Sequence, residues 1–288
     1  MKLPETMIYG SYSDPLYLDY VKRTVPFSMT SNHFHPYYEI YYLLSGSRIY
    51  FVKDTTYRIA AGDLVFIDKN EVHKTLQEGE PAHERIVIHI DERFVRDVLK
   101  PHDDLLLSPF RQDSPIVNLL SDNRERLSQT IGRMLVELRD RPPGYVISIR
   151  QAVTELMLLS SRHVAANRPP EPAYVSPLHR KISEVVRYLN ANYGEQIRVQ
   201  QLAERFFISP YYMSRAFKEV TGFTLIDYLN LTRIKEAQRL LRESSLSVTD
   251  VAARTGFDNF SHFGKTFKKI TRTSARDYRK VQRAATPL

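Results

Sequence analysis

The sequence predicts an α+β multidomain chain, with an N-terminal β-barrel and helical hairpin followed by an all-α C-terminal domain that carries two helix-turn-helix units. Three observations predict it. Up to about residue 90, apolar and aromatic residues come in short, closely spaced, strand-like runs. The spacing then changes to that of amphipathic helices. In the last 112 residues one helical unit recurs at an offset of 50.

In the first part, Glu39–Leu44, Arg48–Lys53 and Leu64–Asp68 are short runs rich in Tyr, Val, Ile and Phe, with turns at Ser45-Gly46-Ser47 and Ala61-Gly62-Asp63. They predict a barrel over residues 1–92. Leu127, Ile131, Met134, Leu135 and Leu138 then fall on one helix face, Pro142-Pro143-Gly144 breaks the chain, and Val146, Ile149, Val153, Leu156 and Met157 form a second face. Two helices joined by so short a turn make an antiparallel hairpin, placed in residues 93–166, which either caps the barrel or pairs with a second copy in a homodimer. Asn167-Arg168-Pro169-Pro170-Glu171-Pro172 cannot continue a helix, so residues 167–176 read as a linker and 177–288 as the C-terminal domain.

Composition narrows the function. The chain has 288 residues, 42% of them hydrophobic and 26% charged, and no cysteine, which excludes disulfides and thiolate chemistry. No apolar run approaches the roughly 18 residues of a membrane span, and the start MKLPETMIYGSYSDP lacks the charged-then-apolar pattern of a secretory signal. A cytoplasmic protein is expected. The net charge of +8 is unevenly spread: residues 177–288 hold 20 Lys and Arg against 10 Asp and Glu, whereas the first 176 hold 21 against 23. Only the C-terminal domain is suited to a polyanion.

The repeat supplies the means. Met213, Ala216, Phe217 and Val220 match Phe263, Thr266, Phe267 and Ile270, each set at i, i+3, i+4, i+7. Each copy follows a short helix with small residues, and Ser247-Val248-Thr249-Asp250 resembles a capping box. Opposite these core stripes stand Tyr211, Ser214, Arg215 and Lys218 in one unit and Ser261, Gly264, Lys265 and Lys268 in the other. Helices of this kind read base edges in a major groove. Lys269, Arg272, Arg276 and Arg279 are expected near phosphates, as are the backbone N–H groups at Ser209. Double-stranded DNA is the expected partner.

The stretch Thr232-Arg233-Ile234-Lys235-Glu236-Ala237 to Leu241, with Ser247 to Ala252, Gly256-Phe257, Phe263, Phe267-Lys268 and Tyr278-Arg279, closely resembles the signature of the AraC/XylS family of bacterial regulators. The resemblance implies two helix-turn-helix units on a connecting helix, set in successive major grooves. It also implies a regulator, most often an activator with RNA polymerase as a further partner. Gly264 and Lys265 stand where the family more often has Ser and Arg, Arg272 where it has Gly, and Ala275 where it has Pro. Lysine lacks the planar fork of arginine, so the second unit is expected to contribute more to backbone grip than to base reading.

In the barrel, His33, His35, Glu39 and Gly46 follow the spacing of the first cupin motif. Gly62 to His73 resembles the second, with Asp68 replacing its usual Pro and Phe27 replacing the leading Gly of the first. His33, His35, Glu39 and His73 are candidate ligands for a divalent transition metal such as Zn, Ni, Mn or Fe, although this reading requires no cofactor. His89, in the apolar strand Ile86 to Ile90, reads as a core histidine. Ten of the 18 tyrosines lie in the first 60 residues. Their faces and hydroxyl tips suit a sugar, so His33, His35, Tyr37, Glu39, Tyr41 and His73 are the expected effector-binding residues. The chain is expected not to be an enzyme. The alternative is a cupin metalloenzyme fused to a DNA-binding module, for which no further catalytic acid, nucleophile or cofactor loop stands out.

Overall fold

A computed structural model describes residues 3–27, 34–167 and 175–284, so His33 and most of the expected linker lie outside the described residues. Strands β1 (Thr6–Tyr9), β2 (Leu16–Arg23), β3 (Tyr38–Ser45), β4 (Ser47–Val52), β5 (Thr55–Ala60), β6 (Leu64–Ile67), β7 (His73–Gln77), β8 (His83–Ile90) and β9 (Ile116–Val117) form two antiparallel sheets, ordered β1-β2-β8-β3-β6-β9 and β5-β4-β7.

Strand alternation assigns each face a different neighbour. On the six-stranded sheet Leu16, Leu18, Ile40, Tyr42, Ile86, Ile88 and Ile90 are buried outward against helices. On the opposite face Tyr41, Leu43, Val65 and Ile67 meet Tyr50, Val52, Tyr57 and Ile59 of the smaller sheet. The helices outside are α3 (Ser121–Asp140) and α4 (Tyr145–Ala166). Leu127, Ile131, Met134, Leu135 and Leu138 of α3 and Ile149, Val153, Leu156 and Met157 of α4 join the same core as the sheet. The apolar stripe of the hairpin is therefore used to cap the barrel. The turn is closed by Arg141 and Gly144, both at positive φ.

Residues between β8 and α3 depart from the expected hairpin. They fold as α1 (Glu92–Phe94), a π turn over Val95–Leu99, α2 (Asp103–Leu106), a 3-10 turn over Ser108–Arg111, and β9. Since Leu64 pairs with Val117 and Val65 with Ile116, the sheet's last strand lies beyond residue 92. A two-residue strand is too short to leave a period in sequence.

The C-terminal domain comprises α5 (Pro177–Ala191), α6 (Val199–Arg205), α7 (Pro210–Thr221), α8 (Leu225–Glu243), α9 (Val248–Arg254), α10 (Phe260–Thr271) and α11 (Ala275–Ala284). It packs directly on the outer face of the three-stranded sheet. Phe51 and Val72 belong to the core of the first helical unit, with the Phe51 ring 5.8 Å from Phe223 and 5.9 Å from Tyr228. Burying Phe51 there is worth roughly 1.5–3 kcal/mol. The Lys74 ammonium donates to the Gly222 carbonyl at 2.6 Å, Tyr228 donates its hydroxyl hydrogen to the Lys53 carbonyl at 3.0 Å, and Lys235 pairs with Glu71 at 3.2 Å. The order of layers is thus hairpin, large sheet, small sheet, first helix-turn-helix.

Gly222 is the weak point of this contact. It ends α7 at φ 76, and a Cβ there would meet the side chains of Leu76 and Lys74 at 2.8 Å. Gly222→Ala is expected to cost about 1–2 kcal/mol through the left-handed backbone alone and to loosen the docking. Faster proteolysis between residues 167 and 176 than in the wild type would report it; an unchanged cleavage rate would contradict it.

Candidate nucleic-acid interface and ligand cleft

Local chemistry starts and stops each recognition helix. The Ser209 side chain accepts from Tyr212 N–H to cap α7, and Asn259 accepts from His262 N–H to cap α10. Ser247 and Asp250 form both halves of a capping box on α9. Gly222 and Arg272 close α7 and α10 in the left-handed region, at φ 76 and 64. In the turns Ile208 N–H donates to Ala203 and Phe257 N–H to Ala252, both at 3.0 Å, with Phe207 and Gly256 at φ 55 and 81. The turns thus correspond at an offset of 49 and the recognition helices at 50, because Asp258 is an additional residue before the second cap.

This scaffold turns Met213, Ala216, Phe217 and Val220, and Phe263, Thr266 and Phe267, into the two cores. Tyr211, Ser214, Arg215 and Lys218 are exposed on α7, as are Ser261, Gly264, Lys265, Lys268 and Lys269 on α10, and Arg272 and Arg276 beyond it. A Cβ at Gly264 would meet open space, so packing does not demand glycine there. Arg279 is partly buried. Lys269 and Arg272, expected near phosphates, also stand on the wall of a cleft that faces the barrel.

That cleft, about 1240 Å³, runs from the barrel interior to α8 and α10. His35, Tyr37, Glu39 and Tyr41 line it, joined by Tyr17, Tyr50, Arg85 and His89 from the inward faces of neighbouring strands and by Asn230, His262 and Lys269 from the other domain. His73 does not line it. It is fully buried behind Glu39, its Nε2 3.7 Å from Glu39 Oε2. His89 is buried, as a core histidine is, and also lines the cleft. Glu39 and His89 are register partners on β3 and β8, and His89 Nε2 lies 3.0 Å from Glu39 Oε2. His83, Arg85, Val87 and His89 alternate with Ile86, Ile88 and Ile90, so strand periodicity was the signal for this inward position.

Glu39 is the hub. Tyr50 donates its hydroxyl hydrogen to Glu39 Oε1 at 2.9 Å, and His35 Nε2 lies 3.1 Å from Oε2. Burial pushes the carboxyl up, but the charge of His73 and hydrogen bonds from His35, His73 and His89 outweigh it and hold it well below its ordinary value. Burial lowers His35. It also opposes charge on His73, yet the Glu39 carboxylate raises that ring overall. His35, Glu39 and His89 each offer a ligand atom, all within 4.8 Å of one another.

Comparison with known proteins follows the same division. Residues 18–140 match the model of an AraC-like ligand binding domain, and residues 202–281 match that of a helix-turn-helix domain. The HTH-type transcriptional activators RhaS of Salmonella agona and Salmonella arizonae are each 26% identical over 259 residues, covering 90% of this chain and 91% of theirs. Among solved structures, ToxT from Vibrio cholerae O395 is 13% identical with a TM-score of 0.37, covering 92% of this chain and 97% of its own. The DNA-binding domain of AdpA, solved with a target DNA, is 34% identical with a TM-score of 0.36, covering 39% and 97%. With a ligand-binding domain on the barrel and hairpin and a helix-turn-helix domain on the two recognition helices, this chain belongs to the AraC/XylS family of DNA-binding transcription regulators.

Proposed function

We propose that the protein is a cytoplasmic transcription activator, working as a homodimer with RNA polymerase, whose DNA affinity is set by a carbohydrate held in the cleft. The observation that carries this reading is the lining of the cleft: tyrosine faces from Tyr17, Tyr37, Tyr41 and Tyr50 beside the polar groups of His35, Glu39, Arg85 and His89. Aromatic faces pack against the C–H faces of a sugar ring, and the polar tips meet its hydroxyls. Because His262 and Lys269 lie on the opposite wall, a bound molecule touches both domains and can favour one arrangement of them over another. The residues facing base edges are Tyr211, Ser214, Arg215 and Lys218, while Ser261 and Lys265 of the second unit contribute mainly to grip on the backbone. The polar outer side of the hairpin serves dimerisation. Titrating a carbohydrate pool into a complex of the protein with DNA from around its own gene tests the reading; a pool that leaves affinity unchanged counts against it. Arg215→Ala is expected to relax preference at one base pair by about 1–3 kcal/mol. Lys265→Ala is expected to lower affinity for all sequences alike and reduce the salt slope by about one. Loss of discrimination in Lys265→Ala would contradict the division of labour.

A second reading, a divalent metal in the barrel, is favoured by the orientation of two rings. His35 Nδ1–H donates to the Tyr37 carbonyl at 3.0 Å and His73 Nδ1–H to that of Glu71 at 2.8 Å, so both turn Nε2 toward Glu39. Backbone carbonyls orient metal-bound imidazoles in this way. His35, Glu39 and His89 would hold the ion, with the expected ligand His73 behind them; His33 lies outside the described residues. A bound ion would polarise a ligand hydroxyl. Metal analysis of protein purified without chelator tests this, and absence of stoichiometric metal counts against it.

A further inference from the structure

The inward faces of the barrel carry a second polar group that the carbohydrate reading does not use. Arg48 is 1% exposed. It shares the inward face of β4 with Tyr50, two residues on. Its Nη2 donates to the Phe27 carbonyl, but Nε and Nη1 have no hydrogen-bond partner among the described residues, and Arg48 joins no ion pair there. Around it stand Arg23, whose guanidinium lies 3.7 Å from the centre of the Phe27 ring, and Arg85. The nearby carboxylate, Asp19, pairs with Arg85 through Oδ2 at 2.9 Å, while its Oδ1 has no hydrogen-bond partner among the described residues. Among the described residues, three guanidiniums thus share one acid. Phe27, Asp19, His83 and Arg85 line the cleft that Glu39 also lines, and Arg48 and Arg23 stand behind that lining.

Burying an unpaired guanidinium is costly, and arginine does not escape the cost by losing its proton. Its flat fork of donors fits a carboxylate or phosphate through two parallel hydrogen bonds. Along β8, Arg85 and His89 are four residues apart, roughly 13 Å at the usual strand rise, with Tyr41, the register partner of Val87, between them on the wall of the cavity. We infer that the effector is an anionic carbohydrate, a sugar acid or sugar phosphate, whose negative group binds Arg48 and its neighbours while its hydroxyls meet the Glu39 end. This rests on the carbohydrate reading and adds the charge.

The test is thermal denaturation of the full chain at constant ionic strength with matched aldoses, uronic acids and sugar 6-phosphates, with inorganic phosphate and acetate alongside. Wild-type Tm is expected to rise with an anionic member more than with its neutral partner, and the better anion distinguishes carboxylate from phosphate. Arg48→Met, which removes a buried charge that joins no ion pair among the described residues, is expected to fold with a Tm no lower than wild type and to lose that preference. Its affinity for the anionic member should fall roughly tenfold to hundredfold. If that variant does not fold, Arg48→Lys keeps the charge without the fork and should bind at least several-fold more weakly. A neutral sugar acting as strongly as its acid in both proteins would overturn the anion end and leave the carbohydrate reading standing. No sugar response, with phosphate or acetate stabilising wild type but not Arg48→Met, would keep the anion end and remove the sugar. Equal effects of every anion on wild type and variant, or none on either, would overturn the proposal.

Discussion

Replacing Glu39 by glutamine is expected to lower stability by about 3–5 kcal/mol, because it leaves the charge of His73 buried without its partner. Glutamine keeps the shape and can still accept from Tyr50, so the loss is electrostatic. The pH dependence follows from the two opposite shifts. The Glu39 carboxyl is held below its ordinary 4.5, so its contribution is present above 4.5 and is lost as pH falls through the folded value. His73 is raised above 6.5, so its contribution is present below 6.5 and is lost as pH rises through the folded value. The variant should therefore lose most, relative to wild type, between these limits. Denaturant unfolding across pH measures it, and a pH-independent difference below about 1 kcal/mol would contradict the pairing.

Phe267→Ala should have an effect of similar size confined to one end of the molecule. Phe267 is fully buried with Phe263 and Tyr278, at 5.6 and 5.7 Å. Truncating such a side chain costs about 3–5 kcal/mol. Its buried cluster shares no fully buried residue with the one that joins the first unit to the barrel, although Phe34 and Ile270 pack against both. The second unit should loosen while the first stays docked. Losing one of two linked DNA contacts is expected to weaken specific binding roughly 10²-fold or more. Hydrogen exchange should rise in α9 to α11 and not in β4 or β7. Equal loosening at both ends would show that the two clusters unfold as one.

The recognition helices were readable in the sequence because duplication and helical period are local signals. Phe217 and Phe267 announce the same face twice. The barrel interior was half readable. His35 and Glu39 follow a known spacing, but His89 reaches the cavity, and Arg48 the layer behind its wall, only through pairing across strands. The docking of Phe51 on Phe223 and Tyr228 joins residues more than 170 apart, and no window along the chain contains that contact. Charge marks Lys269 and Arg272 for phosphate, and charge alone does not show that they also wall a cleft.

Fluorescence anisotropy of the full-length protein on DNA from around its own gene and on random DNA, from 50 to 200 mM salt, tests the central claim most directly. Two recognition helices gripping adjacent grooves predict a specific affinity at least roughly 10³-fold tighter than random DNA. Both affinities should weaken steeply with salt. Equal affinity for the two DNAs at every salt concentration would contradict sequence recognition by this pair of helices.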